Sequence, residues 1–290
     1  MDELHWDRRP EGLREPVMVA AFGGWNDAAA AASHALTFVG ERFAAERVAT
    51  IDPEGFYDFQ ATRPLVDLSS PDSSEIVWPD MEILTAEVPG GDHDLVLAAG
   101  AEPSVRWRTF CGLILDVANE LGVRRVVTMG SLLADVVHSR PVRLTGMASH
   151  PTLIADLGFR QPSYTGPTGI VGVLHQAAVD RGMDAVSLWA PVSHYAAGLT
   201  NTKGSLALVR ALELVSGVSM DARELEKAAD TFEGQVSRAV AAEPRLQQLV
   251  DQLEAGGGDE STSFGPLPTG DELAEELERF LREQGDDDPV

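Results

Sequence analysis

The chain has 290 residues and a formal charge of −24, from 46 acidic and 22 basic residues. Such an acidic chain disfavours nucleic acid and anionic membranes as partners, because both attract basic surfaces, and it favours a basic protein partner. The length allows one large α/β domain with an appendage, and 44% hydrophobic residues can build a sizeable core. No apolar run reaches the roughly 20 residues that a membrane-spanning helix needs.

The single cysteine, Cys111, excludes an internal disulfide and indicates a reducing compartment, so we expect a cytoplasmic protein. Cys111 lies on the apolar side of a predicted helix, where a small core residue is expected rather than a nucleophile. The acidic start, residues 1–6, lacks the apolar centre of a signal peptide.

The first part of the chain predicts a strand, a glycine-rich turn and a helix. Residues 1–15 are polar and predict an arm, whereas the apolar run 17–22 predicts a buried strand. The alanine-rich run 28–39 predicts a helix that Asn26 or Asp27 can cap. The turn lacks the glycine and lysine pattern of a nucleotide loop, so we expect tight packing there instead.

The next segments predict strands at the edge of a sheet. Residues 48–51 predict a strand, and 52–74 predict an irregular surface segment with several aromatic residues. Residues 75–78 and 82–88, separated by a proline, predict a hairpin whose second strand exposes one face.

The centre of the chain predicts a strand–helix–strand unit. Short apolar runs at 94–100 and 124–130 each end in glycine, and the intervening segment 105–121 has helical character. Such units build parallel sheets covered by helices, and ligands bind beyond the carboxyl ends of the strands. The fold class is therefore α/β with a mainly parallel central sheet.

Alternation of strands and helices continues after residue 130. The remaining expected elements are an extended piece at 135–138, helices at 151–157, 168–179 and 201–216, and a strand at 184–190.

The composition changes after residue 220. Residues 221–254 predict a pair of helices or one helix kinked at Pro244, followed by a glycine-rich linker at 255–263. Residues 271–284 predict a last acidic helix. We therefore expect an α/β domain, 1–220, and a helical acidic extension, 221–290.

Four passages together resemble the PAC2 family, the proteasome-assembly-chaperone-2-like proteins, and their likeness spans about 17–215. They are the glycine-rich turn in 22–28, the strand with Gly-Ala-Glu-Pro in 94–103, the glycine-rich helix start in 165–172 and the late strand with His-Tyr in 188–195. The long polar extension resembles the actinobacterial branch.

The resemblance implies a three-layer sandwich of the nucleoside-phosphorylase type and a homo-oligomer, with a trimer among the expected states. It also implies a proteasome-related protein partner, because eukaryotic relatives escort proteasome α subunits. Some archaeal relatives dock through a C-terminal hydrophobic-Tyr-x tail. This chain ends in Asp288-Pro-Val, so the resemblance does not extend to that motif.

The glycine-rich helix start offers backbone N–H groups that can hold an anion, with Gly166 and Thr168 nearest to it. The alternative is that Gly169 and Gly172 allow close packing against the sheet. Ser131 follows a strand but lies outside any Gly-x-Ser-x-Gly elbow.

Several charged residues also follow predicted strands. Glu102, followed by Arg106 and Arg108, can bind a polar ligand or form salt bridges at a rim. His150 and His194 lack metal-ligand spacing, so we expect no metal. The candidate ligand-binding residues are Gly24, Asn26, Glu102, Ser131, His150, Gly166, Thr168 and His194.

Because the chain contains no complete catalytic or cofactor motif, the leading hypothesis is a non-enzymatic protein-binding or assembly protein that needs no cofactor. The alternative is an enzyme of nucleoside phosphorylase or hydrolase type. That alternative requires a pocket at the carboxyl edge of the sheet, lined by several of the candidate residues.

Overall fold

The structure is a computed structural model that describes residues 3–70, 73–150, 159 and 165–255. Ten strands form in these ranges: β1 (Leu4–Trp6), β2 (Val17–Gly23), β3 (Glu46–Ile51), β4 (Leu65–Ser70), β5 (Ser73–Val77), β6 (Met81–Ala86), β7 (Leu95–Ala101), β8 (Arg125–Ala134), β9 (Thr145–Ala148) and β10 (Asp184–Ser193). Six α-helices accompany them: α1 (Ala31–Arg42), α2 (Trp107–Glu120), α3 (Ile170–Asp180), α4 (Thr202–Ser216), α5 (Arg223–Ala242) and α6 (Pro244–Ala255).

Eight strands form one mixed sheet in the order β1-β3-β6-β7-β2-β8-β10-β9. The four central strands, β7, β2, β8 and β10, are parallel, whereas the pairs outside them are antiparallel. β2 lies between the two strands of the predicted strand–helix–strand unit: Ala20 pairs with Ala98 on one side and with Thr128 on the other. The expected α/β fold with a mainly parallel centre is confirmed.

Helices cover both faces of the sheet. On β2, Val17 and Val19 point into the core beneath α1 and α4, while Met18 and Phe22 point into the core beneath α2 and α3. All four side chains are buried. A strand that is buried on both faces needs a continuous apolar sequence, which is why this run is easily recognised.

The helical extension is packed onto the α/β layers. Met220, Ala222 and Leu225 belong to the same buried core as α1 and α4. Farther along, Phe232 of α5 and Val250 of α6 form a smaller cluster. The predicted helix pair with a break at Pro244 is confirmed by α5 and α6. The division into domains at residue 220 stays a prediction.

Several predicted elements differ from the observed ones. The expected hairpin of 75–78 with 82–88 is wrong, because β5 pairs with β4 and β6 pairs with β3 and β7. β4 also lies within the stretch expected to be irregular. Two short edge strands, β1 and β9, occupy polar or mixed sequence that gives little strand signal.

The remaining expectations concern less regular parts of the chain. Residues 135–138 contain a bend at residue 135 and the start of a turn at residue 138, and no strand. The helices expected at 151–157 and 271–284, and the linker after residue 255, lie outside the described residues. No helix within the described ranges is both long enough and apolar enough to cross a bilayer.

Candidate functional site

The candidate site lies at the carboxyl edge of the sheet, where β2 and β7 end beside the start of α3. Asn26 follows β2 and is 2% exposed, whereas Glu102 follows β7 and is partly exposed. The backbone N–H of Glu102 donates to the carbonyl of Gly23 at 2.8 Å, which joins the two strand ends. Two segments far apart in the sequence therefore approach the same helix.

Glu102 and Asn26 cap α3. The Glu102 carboxylate accepts from the Ile170 N–H at 2.8 Å and from the Trp25 N–H at 3.3 Å. The Asn26 side-chain oxygen accepts from the Val171 N–H at 3.3 Å. A carboxylate at a helix N-terminus also complements the helix dipole. A soluble anion would have to displace this internal carboxylate to reach these N–H groups.

Two glycines make this approach possible. A Cβ atom at Gly169 would lie 2.1 Å from Asn26 Oδ1 and 2.6 Å from Glu102 Oε1, which is impossible without movement. Gly24 has φ +138°, and a Cβ there would lie 3.0 Å from Glu102 Cβ. These glycines give the two capping side chains room, which is a packing role.

Gly166 and Thr168 lie just before the capped helix and are exposed. The Thr168 hydroxyl lies over the first helical turn. A Cβ atom placed at Gly172 would lie only 2.2 Å from Thr168 Oγ1. Thr168 is therefore near Glu102 and Asn26 along the chain, although it is not one of the observed caps.

Ser131 is buried and fully used in structural contacts. Its N–H donates to the Asn26 carbonyl at 2.8 Å, and its hydroxyl donates to the Ala28 carbonyl at 2.9 Å. Asp27 beside it accepts from the N–H of Ala32 at 2.8 Å, so it caps the start of α1 as the sequence predicts. With 0% of its surface exposed, Ser131 cannot meet a ligand in this arrangement.

The two candidate histidines lie apart from this cluster. His194 follows β10 at the same edge, and its Nε2 lies 2.8 Å from Asp135 Oδ1, with both side chains substantially exposed. His150 follows β9, which is antiparallel to β10, and the preceding Ser149 bonds to Ala185 at the start of β10. His150 is therefore at the opposite edge of the sheet.

The structure thus brings Gly24, Asn26 and Glu102 together, with Ser131 adjacent, and leaves His150 elsewhere. The described residues contain no group of three or more metal-ligating side chains. Burial raises the pKa of the Cys111 thiol to about 12, which fits the expected core residue. The binding of a ligand by the candidate residues stays a prediction.

Exposed apolar side chains around the site are not predicted by the sequence. Large side chains at the carboxyl edge, among them Trp25, Val105 and Leu133, are about half exposed. Their positions after or at the end of strands can be read from the sequence. Their exposure cannot, because nothing in the local sequence distinguishes an exposed apolar residue from a buried one.

Comparison with known proteins identifies the family of this fold. A family model described as PAC2 family matches residues 21–240. The chain belongs to the PAC2 family. Its fold is similar to that of a PAC2 family protein from Streptomyces avermitilis, with 42% identity and a TM-score of 0.75 over 81% of this chain and 99% of that one.

Two further solved structures are similar to this chain. A proteasome-assembly chaperone homologue from Mycobacterium tuberculosis is 39% identical, with a TM-score of 0.75 over 81% of this chain and 99% of that chain. An archaeal proteasome activator from Pyrococcus furiosus is 19% identical, with a TM-score of 0.67 over 82% and 99%, and shares the fold alone. No curated protein matches this chain.

Proposed function

We propose that this PAC2 protein is a non-enzymatic assembly factor that binds other proteins, with a proteasome-related partner. The observation that carries the proposal is the 39% identity to the proteasome-assembly chaperone homologue across nearly all of that protein. The capped helix start supports it, because Glu102 and Asn26 use the N–H groups that a small anionic substrate would need. Protein surfaces, rather than a pocket at the strand ends, then carry the function.

The proposal includes a homo-oligomer, with a trimer among the expected states by family resemblance. It also assigns the protein to the cytoplasm, because the thiol of Cys111 suits a reducing compartment. Sedimentation equilibrium over a range of concentrations measures the oligomeric state. A monomer at every concentration would contradict that part of the proposal.

Partner binding is tested with purified proteasome α subunits of Mycobacterium tuberculosis. The full chain is mixed with them and the products are resolved by sedimentation velocity and native mass spectrometry. We expect a complex of fixed stoichiometry, and a chain ended at residue 255 shows whether the acidic tail contributes. Absence of a complex with either chain would contradict a proteasome-related role.

A further inference from the structure

β4 and β5 form a two-stranded ribbon outside the main sheet. In the described part of the chain, each of these strands pairs only with the other. Among the described residues, nothing pairs with the outer edges of the ribbon, so their backbone N–H and C=O groups can pair with another strand. Two-stranded ribbons are marginally stable in isolation, so a covering partner would stabilise this one.

Both faces of the ribbon carry apolar side chains. Cross-strand partners point to the same face, so Leu65 and Val77 share one face while Val66 and Ile76 share the other. Leu65 is 68% exposed and Val66 is 60% exposed, so each face has a largely exposed apolar side chain. Clustered exposed apolar side chains mark interaction surfaces.

The ribbon is continuous with the carboxyl edge of the sheet. Trp78, directly after β5, packs edge-on against Phe59 with ring centroids 4.8 Å apart. The backbone N–H just before Phe59 donates to Ser104 Oγ at 3.0 Å, beside the half-exposed Val105. The apolar surface therefore extends from the ribbon towards the loop that also supplies Glu102.

Charge indicates what this surface binds. Residues 58–80 contain five acidic residues and one basic residue, a net charge of 1 − 5 = −4. A second copy of the chain that docked ribbon to ribbon would bring an equally acidic ribbon against this one, and like charges across a contact are unfavourable. We propose that the β4–β5 ribbon binds a basic protein partner by accepting one of its extended segments as a third strand.

The ribbon's cross-strand pairs define the segment that fits. On the face with Leu65 and Val77, the next residue of β5 is the exposed Glu75, so a strand added along β5 meets an apolar and then an acidic site. On the other face it meets Val66 and Ile76. The matching segment has an aliphatic side chain between basic ones on one face and aliphatic side chains at the centre of the other face.

This inference rests on the proposed function and adds the chemistry of the partner. It is tested with a fluorescein-labelled peptide, Lys-Thr-Lys-Val-Val-Val-Lys-Thr-Lys, titrated with the full chain and followed by anisotropy. The matched control peptide has glutamate in place of every lysine. We expect saturable binding of the basic peptide alone, and weaker binding as salt is raised.

A pair of variants locates the binding to the ribbon. Glu75→Lys reverses an exposed charge on β5, whereas Glu41→Lys makes the same charge change at an exposed position of α1. We expect Glu75→Lys to weaken binding of the basic peptide by about threefold to tenfold, and Glu41→Lys to leave it within about twofold. Equal effects of the two variants would overturn the assignment to the ribbon.

Other outcomes also decide the question. Binding of both peptides, or of neither, overturns the inference. If neither binds and Val66→Asp dissociates an oligomer in sedimentation, the ribbon is instead a contact between copies. The experiment with α subunits distinguishes this inference from the proposed function. If Glu75→Lys leaves the α-subunit complex intact, the proposed function stands but this surface is not where the partner binds. If the peptide binds but no α-subunit complex forms, the surface stands and the proteasome-related partner is rejected.

Discussion

At the residue scale, the closest packing at the site surrounds Gly169. Its φ of −101° suits any residue, so steric contact with the two caps is the reason that only glycine fits. We expect Gly169→Ala to lower the free energy of unfolding by about 1–3 kcal/mol, because a methyl group there forces Asn26 and Glu102 away from α3. Urea denaturation followed by circular dichroism measures the change.

Gly198→Ala is the matched control, because a Cβ at Gly198 would meet nothing within 4 Å. We expect that variant to unfold within about 0.5 kcal/mol of the wild type. Equal stability of the two variants would show that the caps can move aside at little cost.

The buried carboxylate of Asp94 fixes the arm before β2 to the start of β7. It accepts from the backbone N–H and the Nε of Arg14, at 2.8 and 3.1 Å, and from the N–H of Val88 at 2.9 Å. Burial raises the pKa of Asp94, but the hydrogen bonds from Arg14 and Val88 outweigh burial and hold it below its usual value.

We expect Arg14→Ala to lower the free energy of unfolding by about 1–3 kcal/mol, because it leaves a buried carboxylate short of donors. Arg47→Ala removes exposed pairs with Asp7 and Glu82 and should cost no more than about 1 kcal/mol.

The depressed pKa of Asp94 gives stability that is full above about pH 3.9 and lost as pH falls through the folded value. Denaturation at pH 7 and pH 3 should therefore show a smaller difference between Arg14→Ala and wild type at pH 3.

At the element scale, burial decides which elements the sequence could predict. β2, β7, β8 and β10 are buried on both faces, and their apolar runs identified them. β1 and β9 are edge strands whose pairing depends on distant neighbours, so their local sequences gave no signal. The sequence did not predict the ribbon, because it placed β5 in a hairpin with β6 instead of β4. The alternating pattern in β6 suits a strand inside a sheet as well as a strand in a hairpin.

The site was only partly predictable for a similar reason. Asn26 and Glu102 were recognised as polar residues at strand ends, but their role as caps of α3 was not. The sequence signals for helix caps involve neighbours within a few residues. Here 68 and 145 residues separate donor and acceptor, so only the three-dimensional fold brings them together.

A polar network ties α5 to the carboxyl edge of the sheet. The N–H of His138 donates to the Tyr195 hydroxyl at 2.9 Å, and Nδ1 of His138 lies 2.9 Å from the same oxygen. Nε2 of His138 lies 3.0 Å from Ser237 Oγ, so in the neutral ring one nitrogen donates and the other accepts. Neutral His138 satisfies all of these partners at once.

Burial lowers the pKa of His138, so its neutral form is favoured in the folded state. The contribution of neutral His138 to the free energy of unfolding is full above about pH 6.5 and is lost as pH falls towards the pKa of His138 in the folded protein. We expect His138→Gln to flatten the dependence of unfolding free energy on pH below about 6.5, by at most about 1.4 kcal/mol per pH unit. Urea titrations between pH 7.5 and pH 5 measure the slope.

His175 is a second buried histidine whose pKa burial lowers, so part of the slope should persist in His138→Gln. The exposed His150 gives a matched control, His150→Gln, which should keep the wild-type slope. An unchanged slope in His138→Gln would show that protonation of His138 does not weaken the attachment of α5.

At the scale of the whole molecule, the helical extension and the α/β layers share one core. The family match continues to residue 240, through most of α5, rather than stopping at residue 220. Leu225 lies in the core beneath α1 and α4, and Lys203 of α4 pairs with Glu233 of α5 at 2.5 Å. The sequence indicated a boundary at 220 because composition changes there, and that division stays a prediction that truncation can test.

We therefore expect a chain ended at residue 220 to lose about 10–20 °C of thermal stability or to unfold without cooperativity. Removal of residues 221–290 would take Ala222 and Leu225 out of the core that they share with α4 and leave His138 without Ser237, a loss of several kcal/mol. A chain ended at residue 255 keeps every described helix and should melt within about 3 °C of the full chain. Calorimetry of the three chains makes the comparison. If the chain ended at 220 melts cooperatively near the full-length temperature, residues 1–220 are an independent domain, and the shared core contributes little to its stability.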